Sequence, residues 1–162
     1  MAQIYAFLKL NGIEGESQDA EYQNQIELQS AGWGSSNNSS FDFGTGSGVG
    51  LGQVHDISCV KYTDKSSLNL HKYCVTGKVV PDGQLTLLKL QDQTKIAYFK
   101  VNMTNIVING WSFSANGDGQ LPSEHFTLHF VKSESTYLPQ GDTGDPQGAV
   151  TFNWDIQQNV GG

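Results

Sequence analysis

Apolar and polar side chains alternate one for one through most of this chain, a pattern that few folds other than antiparallel sheet can use. Phe126, Leu128 and Phe130 are separated by Thr127 and His129. A period of two puts one set of side chains on one face of a pleated strand. The same alternation sets Ile4, Ala6, Leu8 and Leu10 along a first strand and Ile26, Leu28 and Ser30 along a second. Leu85 and Leu87 alternate with Thr86 and Leu88, and Ala97, Phe99, Val101 and Met103 with Tyr98, Lys100 and Asn102. Near the end, Val150, Phe152, Trp154 and Ile156 oppose Thr151, Asn153, Asp155 and Gln157. Asn11-Gly12, Asp82-Gly83, Asn109-Gly110, Asn116-Gly117 and Asp118-Gly119 are dipeptides that accept the positive φ of tight hairpin turns, and are expected between strands. Many short strands with regular turns read as a sandwich or barrel, and closure into a barrel removes exposed edges.

Two segments break the alternation. Ser66-Ser67-Leu68-Asn69-Leu70-His71-Lys72-Tyr73-Cys74 carries Leu70, Tyr73 and Cys74 at helical spacing, with Ser66 or Ser67 as cap and Gly77 as a left-handed end. The other, Ser35 to Gly52, is rich in Ser, Asn and Gly but also carries Phe41, Phe43, Val49 and Leu51. A long loop without structure of its own is uncommon within a compact domain and is often functional, and its apolar residues suggest something to bind. The expected fold is all-β: a β-barrel of two antiparallel sheets, one short flanking α-helix and a long extended loop, in a single domain over residues 1–162.

Charge narrows the partners. The net charge is −7, and all nine positive residues are Lys. Phosphate and base recognition lean on Arg and a basic face, so neither nucleic acid nor an anionic membrane surface is expected. No signal peptide opens the chain and no stretch is long and apolar enough for a membrane helix, so assembly is expected in the cytoplasm. Cys59 and Cys74 are too few for a disulfide framework or a metal site and read as reduced thiols.

Catalytic constellations are sparse. His125 and His129 lie four apart on a strand, too far for one metal, since four residues span about 13 Å. His55 and Asp56 are adjacent and point to opposite faces, and His71 falls on the polar side of the helix. Glu14 and Glu16 flank Gly15 in a polar turn, and nothing ties them to Trp33, Trp111 or Trp154 as a glycosidase would require. Gly46-Ser47-Gly48 lacks the strand-to-helix setting of a nucleophile elbow. Asn116-Gly117-Asp118-Gly119 and Asp142-Thr143-Gly144-Asp145 lack the closing Glu of a calcium loop. The expectation is a non-enzymatic chain without catalytic residues, metal or cofactor.

Four stretches together resemble the haemolysin-coregulated protein (Hcp) family, tube subunits of type VI secretion systems. They are Phe7-Leu8-Lys9-Leu10 through Gly15-Glu16-Ser17; Ser30 to Gly34 with Trp33-Gly34 and the glycine-rich loop through Gly52; Lys61-Tyr62-Thr63-Asp64-Lys65-Ser66-Ser67 with Leu70 and then Cys74 to Lys78; and Tyr137-Leu138-Pro139-Gln140 followed by Trp154-Asp155-Ile156-Gln157-Gln158-Asn159. Their order runs from Ile4 to Val160. The resemblance implies a homohexameric ring that stacks into a tube, a surrounding contractile sheath, a VgrG-like spike protein at the tip, and expulsion with effector proteins into target cells. It also implies an alternative or overlapping role as a ring-shaped carrier or chaperone that binds effectors in its lumen. Secretion then follows through the type VI machinery, and the stop just after Asn159-Val160 reads as the absence of a fused toxin. Phe41, Phe43, Gly46, Gly48, Val49 and Leu51 become the expected inter-ring loop. Gly32, where many members carry a bulkier polar residue, becomes the expected lumen position that tunes cargo.

Overall fold

The computed structural model describes residues 4–37, 52–139 and 148–162. Among these, all strand pairing is antiparallel, and one α-helix is present. The strands are β1 (Ile4–Leu10), β2 (Ile26–Leu28), β3 (Ser30–Gly32), β4 (Ser35–Asn37), β5 (Gly52–Val54) and β6 (Ile57–Tyr62). After α1 (Ser67–Thr76) come β7 (Val80–Gln91), β8 (Thr94–Ser114), β9 (Ser123–Tyr137), β10 (Val150–Asp155) and β11 (Val160–Gly161). The all-β expectation with a single helix is met.

Closure follows from one interrupted strand. β2 pairs with β1, whereas β3, one residue further on, pairs with β6. Gln29 between them still donates its N–H to the Val60 carbonyl at 2.8 Å. The path from β7 through β1, β2–β3, β6, β9 and β8 therefore returns to β7 and leaves a barrel. The remaining two-stranded sheet is the ribbon β4–β5. Inside the barrel, Leu8, Ile26, Ile57, Ile106, Phe126 and Leu128 are fully buried, the inward halves of the alternating sets. The phase of alternation changes in β8, where Val101 and Met103 are buried before Asn105 and Ile106 and Ile108 after it. Asn105, between the two sets, has a left-handed φ of 52°, while the pairing with β7 and β9 runs on across it without a shift.

Two of the expected turns are not turns. Asp82-Gly83 lies within β7, where a Cβ on Gly83 would come within 2.7 Å of Ile106 Cδ1 and 2.9 Å of the Lys9 carbonyl oxygen. Its glycine serves close packing rather than positive φ. Asn109-Gly110 lies within β8 at a register shift, where a Cβ would meet Thr127 Oγ1 at 2.9 Å. The β7–β8 hairpin instead turns on Asp92 and Gln93, at φ 48° and 65°. Both positive φ values suit the tight primed turn that matches strand twist. Asn11-Gly12 and the Asn116–Gly119 segment do lie between strands.

The helix spans Ser67–Thr76 and ends at Gly77 with φ 68°, as its sequence foretells, although Ser66 makes no side-chain cap bond. Leu70 and Tyr73 are buried and Cys74 is half-buried. What docks the helix is a buried polar cluster. Lys61, fully buried on β6, places Nζ 2.8 Å from Asp64 Oδ1, 3.1 Å from Ser67 Oγ and 3.2 Å from Glu124 Oε2. Glu124, also buried, takes a hydrogen bond from Trp111 Nε1 at 2.8 Å and another from the Ser67 hydroxyl. Each charge thus has its counter-charge and donors, which a charge withdrawn from water requires.

Candidate assembly surface

Strand β9 is long enough to serve two neighbours along one edge. Its first half, Ser123 to Leu128, pairs with β6 and completes the barrel, whereas its second half, Lys132 to Tyr137, pairs with β10. β10 therefore lies outside the closed ring of strands. Directly opposed residues in adjacent strands share a face of the sheet. One such row runs Leu8, Leu85, Val101, Ser135, Phe152, and another Leu10, Gly83, Met103, Ser133, Trp154. A third joins Ala6, Leu87, Phe99, Tyr137 and Val150. The face that forms the core inside the barrel thus continues outward onto Val150, Phe152 and Trp154.

There it is no longer covered. Phe152 is 46% exposed, against 0% for Leu8 and Val101 in its own row, and Val150 is 61% exposed. The alternation of β10 has the expected face, but none of the described residues covers it. Phe152 and Trp154 stack at 6.0 Å and 15°. With Trp33 and Val54 they line a groove of about 530 Å³ against the β4–β5 ribbon. None of the described residues lining the groove is charged: the rest are Gly34, Ser35, Ser36, Asn37, Gly52 and Gln53. Trp33 itself is anchored, its ring edge-on to Phe130 at 5.8 Å and its Nε1 donating to the His55 carbonyl at 2.9 Å. Exposed apolar side chains grouped in this way are the kind of surface that partners cover.

The ribbon is the described base of the long loop. Phe41, Phe43, Gly46, Gly48, Val49 and Leu51 lie outside the described residues. His55 closes the ribbon's foot, its N–H bonded to the Gly34 carbonyl at 2.9 Å and its Nε2 3.0 Å from Ser36 Oγ. Gly32 ends β3 with an exposed face, and a Cβ there would meet nothing within 4 Å. It opens a cross-strand row of small residues, Gly32, Ser58, Thr127 and Gly110, on the outer side of the barrel wall.

The other polar residues are held in structural contacts. Glu16 Oε1 accepts the Lys65 N–H at 3.1 Å and Glu14 lies 3.6 Å from Lys65 Nζ, so this pair fixes the approach to the helix. His129 Nδ1 lies 2.8 Å from Asp56 Oδ1, while Asp56 Oδ2 accepts from Asn109 Nδ2 at 2.5 Å. His71 is exposed, as its position on the helix implies, but its ring packs on Trp111 at 4.5 Å. Burial pushes the Cys59 thiol up to about 12. Among the described residues no cluster of three or more His, Cys, Asp or Glu side chains could hold a metal, and no helix is long and apolar enough to cross a membrane. The buried Lys61–Glu124 pair was the feature least visible beforehand. Its signal was parity: Lys61 continues the inward set Ile57, Cys59, and Glu124 precedes the inward set Phe126, Leu128.

Comparison with known proteins agrees with this fold. Residues 7–137 match the family described as "Type VI secretion system effector, Hcp". The chain is 34% identical over 155 residues to Protein hcp1 of Pseudomonas aeruginosa, covering 95% of this chain and 96% of that one. Hcp1 from Salmonella typhimurium superposes with a TM-score of 0.81 at 31% identity, covering 99% of each chain. A further type six secretion system protein shares the fold with a TM-score of 0.91 at 24% identity, over 99% of this chain and 100% of that one. The chain, all-β with one helix among its described residues, belongs to the Hcp family of the type VI secretion system.

Proposed function

We propose that this chain is a single-domain subunit of the type VI inner tube, assembling into hexameric rings that stack and are expelled with effectors. The observation that carries the reading is the core-side strip of β10, where Val150 and Phe152 are exposed and Trp154 half-buried beside a groove whose described lining is uncharged. A head-to-tail contact that places one subunit's surface in a neighbour's groove closes into a ring when its rotation permits. Stacking is assigned to the loop residues Phe41, Phe43, Gly46, Gly48, Val49 and Leu51, carried on the β4–β5 ribbon. The spike protein and contractile sheath follow from the family role. Deleting Phe41 to Gly52 leaves folded rings that no longer form tubes; normal tubes from that variant in electron micrographs would exclude this loop as the stacking element.

A second, compatible reading is an effector carrier. It is favoured by Gly32, which stands over open space at the end of a row of small residues. In this reading the row lines the lumen and accommodates cargo. A Gly32→Trp variant that retains assembly but loses a co-purifying small protein supports it; unchanged cargo in that variant removes Gly32 from the contact.

A further inference from the structure

Three Asn-Gly dipeptides sit in three different environments in this chain. Asn109 is pinned within β8: its Nδ2 donates to Asp56 Oδ2 at 2.5 Å, its Oδ1 accepts from the Thr127 hydroxyl, and Gly110 lies in register with Thr127. Asn11 occupies a tight turn in which its N–H bonds the Asp82 carbonyl at 3.1 Å, Ile13 N–H bonds the Leu10 carbonyl at 3.0 Å, and Gly12 is held at φ 96°. Asn116 differs from both. It and Gly117 are exposed in the segment joining β8 to β9, and neither has a protein hydrogen-bond partner among the described residues. Open space surrounds Gly117, where an added Cβ would meet nothing within 4 Å.

We propose that Asn116 is a site of spontaneous, self-catalysed modification, converting to aspartate and isoaspartate in the folded protein. The reaction needs the backbone nitrogen of the following residue to reach the side-chain amide carbon. Glycine permits this because it has no Cβ to obstruct the approach and turns freely about its backbone. The Gly117 nitrogen attacks Asn116 Cγ, a new N–Cγ bond forms, the Cγ–Nδ2 bond breaks, and ammonia leaves carrying the proton from the attacking amide. Water then opens the five-membered imide at either carbonyl. One opening leaves an ordinary aspartate in place of the asparagine; the other routes the main chain through the side-chain carbon and leaves isoaspartate.

Selectivity comes from the fold. Attack demands a near-attack geometry, and a group held away from it loses the advantage of proximity. At Asn109 both side-chain atoms are occupied and the ladder fixes the next residue; at Asn11 the turn fixes both residues. Of the three, Asn116 alone is free to sample the reactive arrangement. The product gains one negative charge in the turn between the exposed Phe113 and Leu121. The neighbouring Asp118, whose Oδ1 accepts from the Gln120 N–H at 3.1 Å, can isomerise but changes neither mass nor charge, so the two events are separable.

The test is incubation of the full-length purified protein at mildly alkaline pH, with timed samples read by ion-exchange chromatography and by peptide mass spectrometry with fragmentation that distinguishes isoaspartate. The expected result is conversion at Asn116 ahead of Asn109 and Asn11, and loss of the Asn116 product in a Gly117→Ala variant of unchanged circular dichroism. In urea, Asn109 and Asn11 then convert at rates comparable to Asn116. Prior conversion of Asn109 or Asn11 in the folded chain overturns the assignment, as does an Asn116 rate that Gly117→Ala leaves unaltered.

Discussion

Replacing Phe152 by alanine removes the central aromatic ring of the uncovered strip and leaves the barrel untouched. In the isolated chain Phe152 is 46% exposed. An aromatic side chain buries about 150–250 Å², so covering the remaining portion removes about 70–115 Å² from water. At about 25 cal/mol per Å² that is worth about 2 kcal/mol at each contact between neighbours. Losing it weakens each contact by about 30-fold, since 1.4 kcal/mol is a factor of about ten. A closed ring loses this increment at every contact, so the ring should dissociate at much higher protein concentration than the parent. The substitution also removes the part of Phe152 already stacked on Trp154, so thermal unfolding must be recorded beside assembly. Thr151→Ala, on the same strand but the opposite face, is the control. The assay is sedimentation velocity over a concentration series. A Phe152→Ala protein that unfolds normally and assembles at the parent's concentrations refutes the reasoning, because the strip would then contribute no contact area.

Further outcomes follow from the same geometry. Lys61→Met strands the buried Glu124 carboxylate without its counter-charge, so unfolding free energy should fall by about 3–5 kcal/mol in urea titration, the cost of breaking a buried pair from one side. A Lys61→Met/Glu124→Leu double variant should recover part of that loss. Gly83→Ala forces a Cβ to within 2.9 Å of Leu10 Cδ2 and of the Lys9 carbonyl oxygen, and should cost about 1–3 kcal/mol by overpacking, whereas Gly117→Ala should be neutral. The Cys59 thiol, raised by burial from 9.0 to about 12, keeps its proton in the folded chain where an unfolded chain would lose it. Folding stability should therefore hold below pH 9.0 and decline between there and about 12, at about 1.4 kcal/mol per pH unit from this group. Alkylation at mildly alkaline pH should label the half-buried Cys74 before Cys59; equal rates in the folded protein would contradict the burial argument.

How much of this was legible in the sequence depended on whether the cause was local. Helix α1 was legible because its apolar stripe and its glycine end are local signals. The inward faces of β1, β2, β8 and β9 were legible because parity is local too, but the strand β6 was not read, and the change of parity at Asn105 in β8 is a conformational feature that composition does not mark. Asp82-Gly83 and Asn109-Gly110 were misread as turns because the same dipeptide serves positive φ in one place and close packing in another. The β7–β8 hairpin carried no glycine signal, since Asp92 and Gln93 adopt left-handed φ values without one. The face of β10 was legible, but its lack of cover was not, because exposure depends on which half of β9 each neighbour takes. Lys61 and Glu124 were passed over because a charge on an inward parity position looks like a lapse in pattern until its partner is located. The family resemblance, carried by the order of several short motifs, proved more specific than any of these local signals.

The central claim is assembly, and particle mass tests it most directly. Multi-angle light scattering on the purified chain, with negative-stain images of the same fractions, should give the mass of six subunits and six-fold rings with a central hole. A monomer that persists at high protein concentration, with Val150 and Phe152 open to water, would contradict the account.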